Sequence, residues 1–163
     1  VTGVAYSRNE AQVTLRGVKD RPGVAAHVFG PLAEAGLNVD MIIQNISPDG
    51  EQADITFTVL DDQVERAREV IDQKRDDLDV GSVLFKTGVS KISIIGIGMR
   101  SHAGVAAKMF ACLAEKSINI LAITTSEIKI SVLIDEAYTE LAVRSLHEAY
   151  GLDQVGQKGT PRA

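Results

Sequence analysis

The sequence predicts an α+β protein made of two copies of one β-α-β-β-α-β unit, the second of which is completed by the N-terminal strand. Three observations predict this fold class: an internal repeat, the same order of strand and helix patterns in both copies, and a strand-like segment ahead of the first copy. At 163 residues, 45% of them hydrophobic, the chain is long enough to bury the cores of two small domains. A unit with this order of elements is ferredoxin-like.

The repeat emerges when the sequence is shifted by 81 residues. Gly23 to Asn38 then aligns with Gly104 to Asn119, and nine of the sixteen positions are identical. The same shift aligns Val13, ahead of this block, with Ile94. Beyond the second strand the offset falls to 75, and the six-residue difference lies at Ser47 to Glu51, which predicts a longer hairpin in the first copy.

Each copy contains the same predicted elements. Asp20 is a predicted helix N-cap and Gly36 a predicted helix end. The apolar residues Val24, Val28 and Leu32 recur every four positions and predict the buried face of that helix. The first copy has predicted strands at Ala11 to Val18, Asn38 to Asn45, Ala53 to Leu60 and Val80 to Lys86, and a second helix at Val64 to Lys74. The second copy has predicted elements at Lys91 to Ile97, Gly104 to Lys116, Asn119 to Ser126, Ile128 to Ile134 and Tyr138 to Tyr150.

The second copy lacks a fourth strand of its own, because a polar segment follows its last helix. The strand-like segment Val1 to Ser7 is therefore expected to complete the second sheet and to cover an open edge. The predicted domains are residues 8–88 for the first copy and residues 1–7 with 89–152 for the second, followed by a polar tail over residues 153–163.

Composition excludes several classes of function. The net charge of −5 disfavours a nucleic-acid partner, because neutralising phosphates requires a basic surface. No run of about 18 apolar residues is present that could span a membrane. Cys112 is the only cysteine, which rules out an internal disulfide and fits a reducing, cytoplasmic location.

Motifs for catalysis or metal binding are absent from the sequence. Gly96-Ile97-Gly98 lacks the third glycine of a dinucleotide-binding loop, and there is no Gly-Lys-Ser/Thr phosphate loop. The three histidines have no companions at metal-ligand spacing, although His102, at a helix start, is a candidate ligand contact. Cys112 lies in a largely apolar helix and is interpreted as an inert thiol. We expect neither a catalytic residue nor a metal ligand in this chain.

The junction of the first strand and first helix is the candidate binding site. A helix N-terminus favours a ligand carboxylate, and the backbone N–H groups of Val24 and Ala25 are the predicted donors. Asn38 opens the neighbouring strand, and Asn119 recurs at the equivalent place in the second copy. An asparagine after a helix is also a good turn former, but the recurrence in both copies favours binding of an α-amino acid, with acceptors supplied between Asn38 and Gln44.

These residues carry a family resemblance. The Pro22-Gly23-Val24-Ala25 helix start within a β-α-β-β-α-β unit resembles the ACT domain, an amino-acid-sensing module. The segments Asn38 to Asn45, Ser101 to Val105 and Thr124 to Val132 resemble the regulatory region of aspartokinases. The resemblance covers almost the whole chain. The catalytic domain that precedes this region in full-length members is absent from the sequence, so the chain alone is not expected to phosphorylate aspartate.

The resemblance also implies a ligand, a site and partners. It implies allosteric feedback control of aspartate kinase by threonine and/or lysine, in the pathway to lysine, threonine and methionine. It implies a homodimer in which the first ACT domain pairs with the partner's second, and association with the catalytic domain or α subunit, which alone uses ATP and magnesium. The residues it implicates, together with Val24, are Asp20, Ala25, Asn38, Val39, Asp40 and Gln44 on one side and Val105, Ala106, Asn119, Ile120, Ser126 and Glu127 on the other. The second copy departs from the first at Leu121 and Thr125, which align with Asp40 and Gln44, so the two sites need not be equivalent.

Two other functions remain open at this point. An ACT pair can regulate another protein, such as acetolactate synthase with valine as effector, or belong to a two-ACT transcriptional regulator. An enzyme on the ferredoxin-like fold, such as an acylphosphatase, needs an arginine-lined phosphate loop, and the repeat offers no such arginine in both copies.

Overall fold

The structure is a computed structural model that describes residues 1–96 and 102–152, without the side chain of His102. Two three-residue 3-10 helices, Asp61–Gln63 and Glu136–Tyr138, lead into the second helix of each copy. The strands are β1 (Gly3–Lys19), β2 (Asp40–Ile46), β3 (Gln52–Leu60), β4 (Ser82–Ile95), β5 (Ala122–Thr125) and β6 (Lys129–Asp135). The helices are α1 (Val24–Glu34), α2 (Val64–Leu78), α3 (His102–Glu115) and α4 (Thr139–Ala149).

The chain forms two compact units. The middle unit is Asn9–Thr87, and the terminal unit is Val1–Arg8 together with the chain from Gly88 onward. Strand order is β2-β3-β1-β4 in the middle unit and β1-β4-β6-β5 in the terminal unit, because the long strands β1 and β4 contribute to both. The predicted tail, residues 153–163, lies outside the described residues.

The N-terminal strand completes the sheet of the terminal unit, as predicted. The Thr2 N–H donates to the Ile95 carbonyl at 2.6 Å, and the Thr2 hydroxyl donates to the same oxygen at 3.1 Å. In the middle unit the Gly81 N–H donates to the Arg16 carbonyl at 2.9 Å. The α+β class with two ferredoxin-like units is therefore confirmed.

Helix α1 starts differently from the prediction. Its N-cap is Gly23 with a φ of 89°, and no side chain caps the helix. Asp20, the predicted cap, instead donates its backbone N–H to the Glu51 carbonyl at 2.9 Å. A left-handed backbone is easily adopted by glycine, which explains why the helix begins here and not three residues earlier.

The offset of 81 is wrong for the first strand. Val13 lies opposite Phe57, and Ile92 lies opposite Val132, the residue 75 positions after Phe57. Val13 therefore corresponds to Ile92, with an offset of 79, and the second copy is two residues longer between its first strand and first helix. A two-residue slip keeps every side chain on the same face of a strand, so an alternating apolar pattern cannot reveal it.

Each unit has its own hydrophobic core between helices and sheet. In the middle unit the predicted face Val24, Val28 and Leu32 is buried, and Phe29 contacts Phe57 edge-on with ring centroids 5.3 Å apart. In the terminal unit Val4 from the N-terminal strand joins a core with the fully buried residues Ile92, Ile94, Met109, Leu113, Ile130, Val132, Ile134, Ala142 and Leu146. These cores hold the first helix of each unit against the sheet, with its N-terminal turn at the surface.

Candidate functional site

The first turn of α1 offers backbone donors at the surface of the middle unit. Among the described residues, no hydrogen bond engages the N–H of Ala25, whereas the Val24 N–H reaches the Arg21 carbonyl at 3.2 Å. Ala25 is exposed, while the Val24 side chain is buried in the core. Of the two predicted donors, Ala25 is thus the one available to a ligand carboxylate.

An arginine that the sequence reasoning missed holds this turn in place. The Arg21 guanidinium donates to the Asp77 carbonyl at 2.8 Å, near the C-terminal end of α2. Carbonyls at a helix C-terminus favour a cation, so this contact stabilises the loop that leads into α1. Nothing in the spacing of Arg21 and Asp77 could have signalled it, since the contact depends on how α2 packs.

Strand β2 presents the predicted polar residues of the middle unit. Asp40 and Gln44 are exposed on this edge strand, and Asn38 is exposed just before it. Val39 is partly buried against the core. Gln44 lies opposite Ile55, and a register shift between Asp40 and Ile43 interrupts the ladder.

The bulge in β2 is a second feature that the sequence did not reveal. Met41 has a φ of 49°, which is uncommon for a residue other than glycine, and its N–H is held by the Asp40 carboxylate at 2.8 Å. The buried Met41 side chain anchors the same residue in the core. Asp40 is therefore committed in part to the shape of its own strand.

The terminal unit arranges its predicted residues differently. Helix α3 starts at His102, so Val105 and Ala106 are its fourth and fifth residues, whereas Val24 and Ala25 begin α1. Val105, Ala106 and Ile120 pack against the core. Asn119 is exposed ahead of β5.

Ser126 and Glu127 lie in the β5–β6 turn, at the other end of β5 from Asn119. The Ser126 N–H donates to the Lys129 carbonyl at 2.7 Å, and the Ser126 hydroxyl lies 3.5 Å from the same oxygen. Glu127 is exposed in this turn. The structure thus places Asn119 with Ile120, and Ser126 with Glu127, at opposite ends of a four-residue strand.

Tyr150 ties the start of α3 to the end of α4. Its hydroxyl donates to the Val105 carbonyl at 2.7 Å, and the Lys108 ammonium lies 5.0 Å from its ring centroid. Burial raises the pKa of Tyr150 to about 12, so the hydroxyl remains a donor at every physiological pH. Burial, and then the Glu115 carboxylate, also raises the pKa of Cys112, which keeps that thiol protonated, as expected for an inert cysteine.

Both edge strands expose isoleucine at equivalent positions. Ile42 of β2 is 52% exposed, and Ile123 of β5, 81 positions later, is 41% exposed. Ile46 and Ile128 extend the two apolar strips. An exposed apolar edge strand is a surface on which another strand can pair.

A polar cleft of about 690 Å³ lies beside the loop before α1. It is lined by Lys19 and by three carboxylates, Asp20, Glu51 and Asp79, together with the neighbouring Gly17, Gly50, Gln52, Val80 and Gly81. Within the described ranges, no group of three or more His, Cys, Asp or Glu side chains is placed to hold a metal ion. None of the described helices is long and apolar enough to cross a membrane.

The ACT domain family matches the chain twice, at residues 13–77 and 92–150. The regulatory subunit of aspartate kinase from Thermus thermophilus, in its ligand-free form, is 40% identical to this chain. The match covers 92% of this chain and 98% of that subunit, with a TM-score of 0.84. The chain belongs to the aspartate kinase regulatory family. Its two units are the tandem ACT domains of that family, as the resemblance implied.

Other members of the aspartate kinase family agree with this assignment. A chain in the crystal structure of aspartokinase alpha and beta subunits is 48% identical, with a TM-score of 0.84, over 93% of this chain and 99% of that one. Aspartate kinase from Pseudomonas fluorescens is 48% identical over 98% of this chain but only 38% of its own length. The present chain therefore spans little more than a third of that relative. It corresponds to the ACT part of an aspartate kinase and does not contain the catalytic domain.

Proposed function

We propose that this chain is the feedback-regulatory part of an aspartate kinase and that it binds threonine, lysine or both as allosteric effectors. The observation that supports this is the open first turn of α1 after β1, at the end of the sheet toward which the exposed Gln44 lies, because Ile46 of β2 and Val18 of β1 both lie opposite Ala53. The chain acts with a catalytic domain or α subunit in the cytoplasm, and that partner uses ATP and magnesium to phosphorylate L-aspartate. The family relationship supports this division of labour.

The middle unit supplies the better-formed surface for an amino acid. The Ala25 N–H and the helix dipole of α1 favour the effector's carboxylate. The Gln44 amide, exposed toward the same end of the sheet, suits a side-chain hydroxyl. Asn38 and Asp40 lie at the other end of β2, because Asp40 lies opposite Thr58, which in turn lies opposite Gln12. In the terminal unit the corresponding residues Val105 and Ala106 lie inside α3, so the second surface binds more weakly or prefers a different amino acid.

We propose that the effector site is completed across a homodimer. The exposed strips on β2 and β5 are continuous with the predicted contacts Gln44 and Ser126, so pairing the first ACT domain of one chain with the second of its partner buries both strips around the ligand. An effector contacted by both chains stabilises the dimer by mass action. Edge pairing thus links effector binding to assembly.

Sedimentation velocity with and without saturating threonine and lysine tests this proposal. Ile42→Lys is expected to raise the monomer fraction, because it places a charge on the paired strip. Tyr138→Lys is the matched control, since Tyr138 is similarly exposed but lies in the turn before α4. A monomer fraction that changes neither with effector nor with Ile42→Lys contradicts the proposal.

A further inference from the structure

The internal repeat makes the pair Phe85 and Arg68 of the middle unit equivalent to the pair Tyr6 and Val143 of the terminal unit. Arg16 of β1 and Ile95 of β4 are equivalent by the offset of 79, and they accept hydrogen bonds from Gly81 and Thr2 respectively. Tyr6 of β1 lies four residues after Thr2, and Phe85 of β4 lies four residues after Gly81, so Phe85 is the counterpart of Tyr6. On the second helices, the offset of 75 makes Arg68 the counterpart of Val143.

In the middle unit the Phe85 ring is covered by the side chain of Arg68. The Arg68 guanidinium carbon lies 4.2 Å from the centroid of the Phe85 ring, a stacked cation–π contact. The arginine of α2 thereby covers the Phe85 ring of β4.

In the terminal unit Val143 takes the place of Arg68, and the Tyr6 ring is approached by Arg8 of its own strand, whose guanidinium carbon lies 5.9 Å from the ring centroid. Val143 is too short to reach across, and Tyr6 remains 56% exposed. A cavity of about 330 Å³ lies between the strand residues Tyr6 and Arg8 and the exposed side of α4. This volume is at the lower end of the range that small-molecule sites occupy.

The charges around the cavity are balanced. Arg8 and Arg144 supply two positive charges and Glu140 and Glu148 two negative ones, with His147 beside them. Arg8 and Glu140 are 3.8 Å apart, and their side chains are 39% and 88% exposed, so the pair is weakened by solvent and is able to exchange partners. An apolar floor of Tyr6 and Val143 with both signs of charge at the rim suits a small ligand that carries both a cation and an anion.

We propose that this groove binds an amino acid with a guanidinium side chain. The planar cation stacks on Tyr6 as Arg68 stacks on Phe85, with Glu140 and Glu148 balancing its charge. The carboxylate lies against Arg144, for which a bidentate contact is favourable. None of these residues belongs to the surfaces proposed for threonine or lysine, so binding at this groove is tested independently of the proposed function.

An NMR titration that follows the ring resonances of Tyr6 tests the site directly. Resonances are assigned with Tyr6→Phe, which keeps the stacking surface and is expected to keep binding. L-Arginine is expected to shift the ring signals with a Kd on the order of 1 mM, as fits a ligand of this size in an open groove. Agmatine, which lacks the carboxylate, is expected to bind several-fold more weakly.

Two variants separate this site from any other. Val143→Arg introduces into the terminal unit the counterpart of Arg68, which covers the Phe85 ring in the middle unit. Tyr6→Ala removes the stacking surface. Each variant is expected to weaken arginine binding more than tenfold. Gln44→Ala, on the other unit, is expected to leave it unchanged. Because Tyr6 is exposed, Tyr6→Ala remains informative even if Val143→Arg disturbs folding. Absence of arginine-dependent shifts, or equal binding by wild type and Tyr6→Ala, overturns the proposal, and equal affinity for agmatine overturns the assignment of an amino acid.

Discussion

Replacing Tyr150 by phenylalanine removes one hydrogen bond and keeps the ring. The lost bond is the 2.7 Å contact from the Tyr150 hydroxyl to the Val105 carbonyl, which joins the end of α4 to the start of α3. A hydrogen bond of this neutral kind contributes about 0.5–1.5 kcal/mol to folding. For a protein of this size, a loss of about 1 kcal/mol lowers Tm by roughly 2–4 °C.

The loss should be local as well as global. If the bond holds the first two turns of α3, the amides of Val105 and its neighbours open more often in Tyr150→Phe. About 1 kcal/mol corresponds to roughly fivefold faster native-state hydrogen exchange at these amides. Thermal unfolding and amide exchange of wild type and variant measure the two effects.

Tyr138→Phe is the matched control. Tyr138 is 42% exposed, and its hydroxyl makes no hydrogen bond within the described residues, so its removal should change neither Tm nor exchange. If Tyr150→Phe behaves like this control, the hydroxyl does not fix the start of α3, and the account of that helix is refuted.

Three further predictions concern pH, the thiol and the effector. Folding raises the pKa of Tyr150 from 10.0 to about 12, so the hydroxyl's contribution to stability is complete below pH 10 and is lost as pH rises from 10 to 12. Urea unfolding midpoints should therefore fall between pH 9 and 12 more in wild type than in Tyr150→Phe. The raised pKa of Cys112 predicts alkylation by iodoacetamide several-fold slower in the native protein than in urea, and equal rates would contradict its burial. If Gln44 hydrogen-bonds the threonine hydroxyl, bound valine leaves the Gln44 amide unpaired at a cost of about 1–3 kcal/mol, so valine should bind roughly 10- to 100-fold more weakly than threonine. Gln44→Ala should erase much of this difference in affinity, and an unchanged threonine-to-valine ratio removes Gln44 from the site.

The architecture was accessible from the sequence because it is repeated. Nine identities between Gly23–Asn38 and Gly104–Asn119 identify the repeat, so that the element order predicted for one copy supports the order predicted for the other. The second copy lacks a fourth strand, and the segment Val1 to Ser7 supplies one. The Thr2–Ile95 hydrogen bond bears out that match. Periodicity and counting were sufficient, since both are properties of the chain itself.

The details of the site were not accessible in the same way. The two-residue slip at Val13 is invisible to a pattern of period two, and the cap of α1 depends on the backbone angle of Gly23. Likewise, the contacts of Arg21 and Tyr150 join residues 56 and 45 positions apart. Only the packing of the second helix in each unit brings them together, and no local signal records it.

Calorimetric titration of the chain with threonine, with lysine and with both together measures whether either amino acid is an effector. We expect saturable binding of at least one of the two, a preference for threonine over valine, and weaker binding by Gln44→Ala while the fold is retained. If a folded, dimeric protein gives only the heat of dilution with both threonine and lysine, the chain is not a sensor of these amino acids.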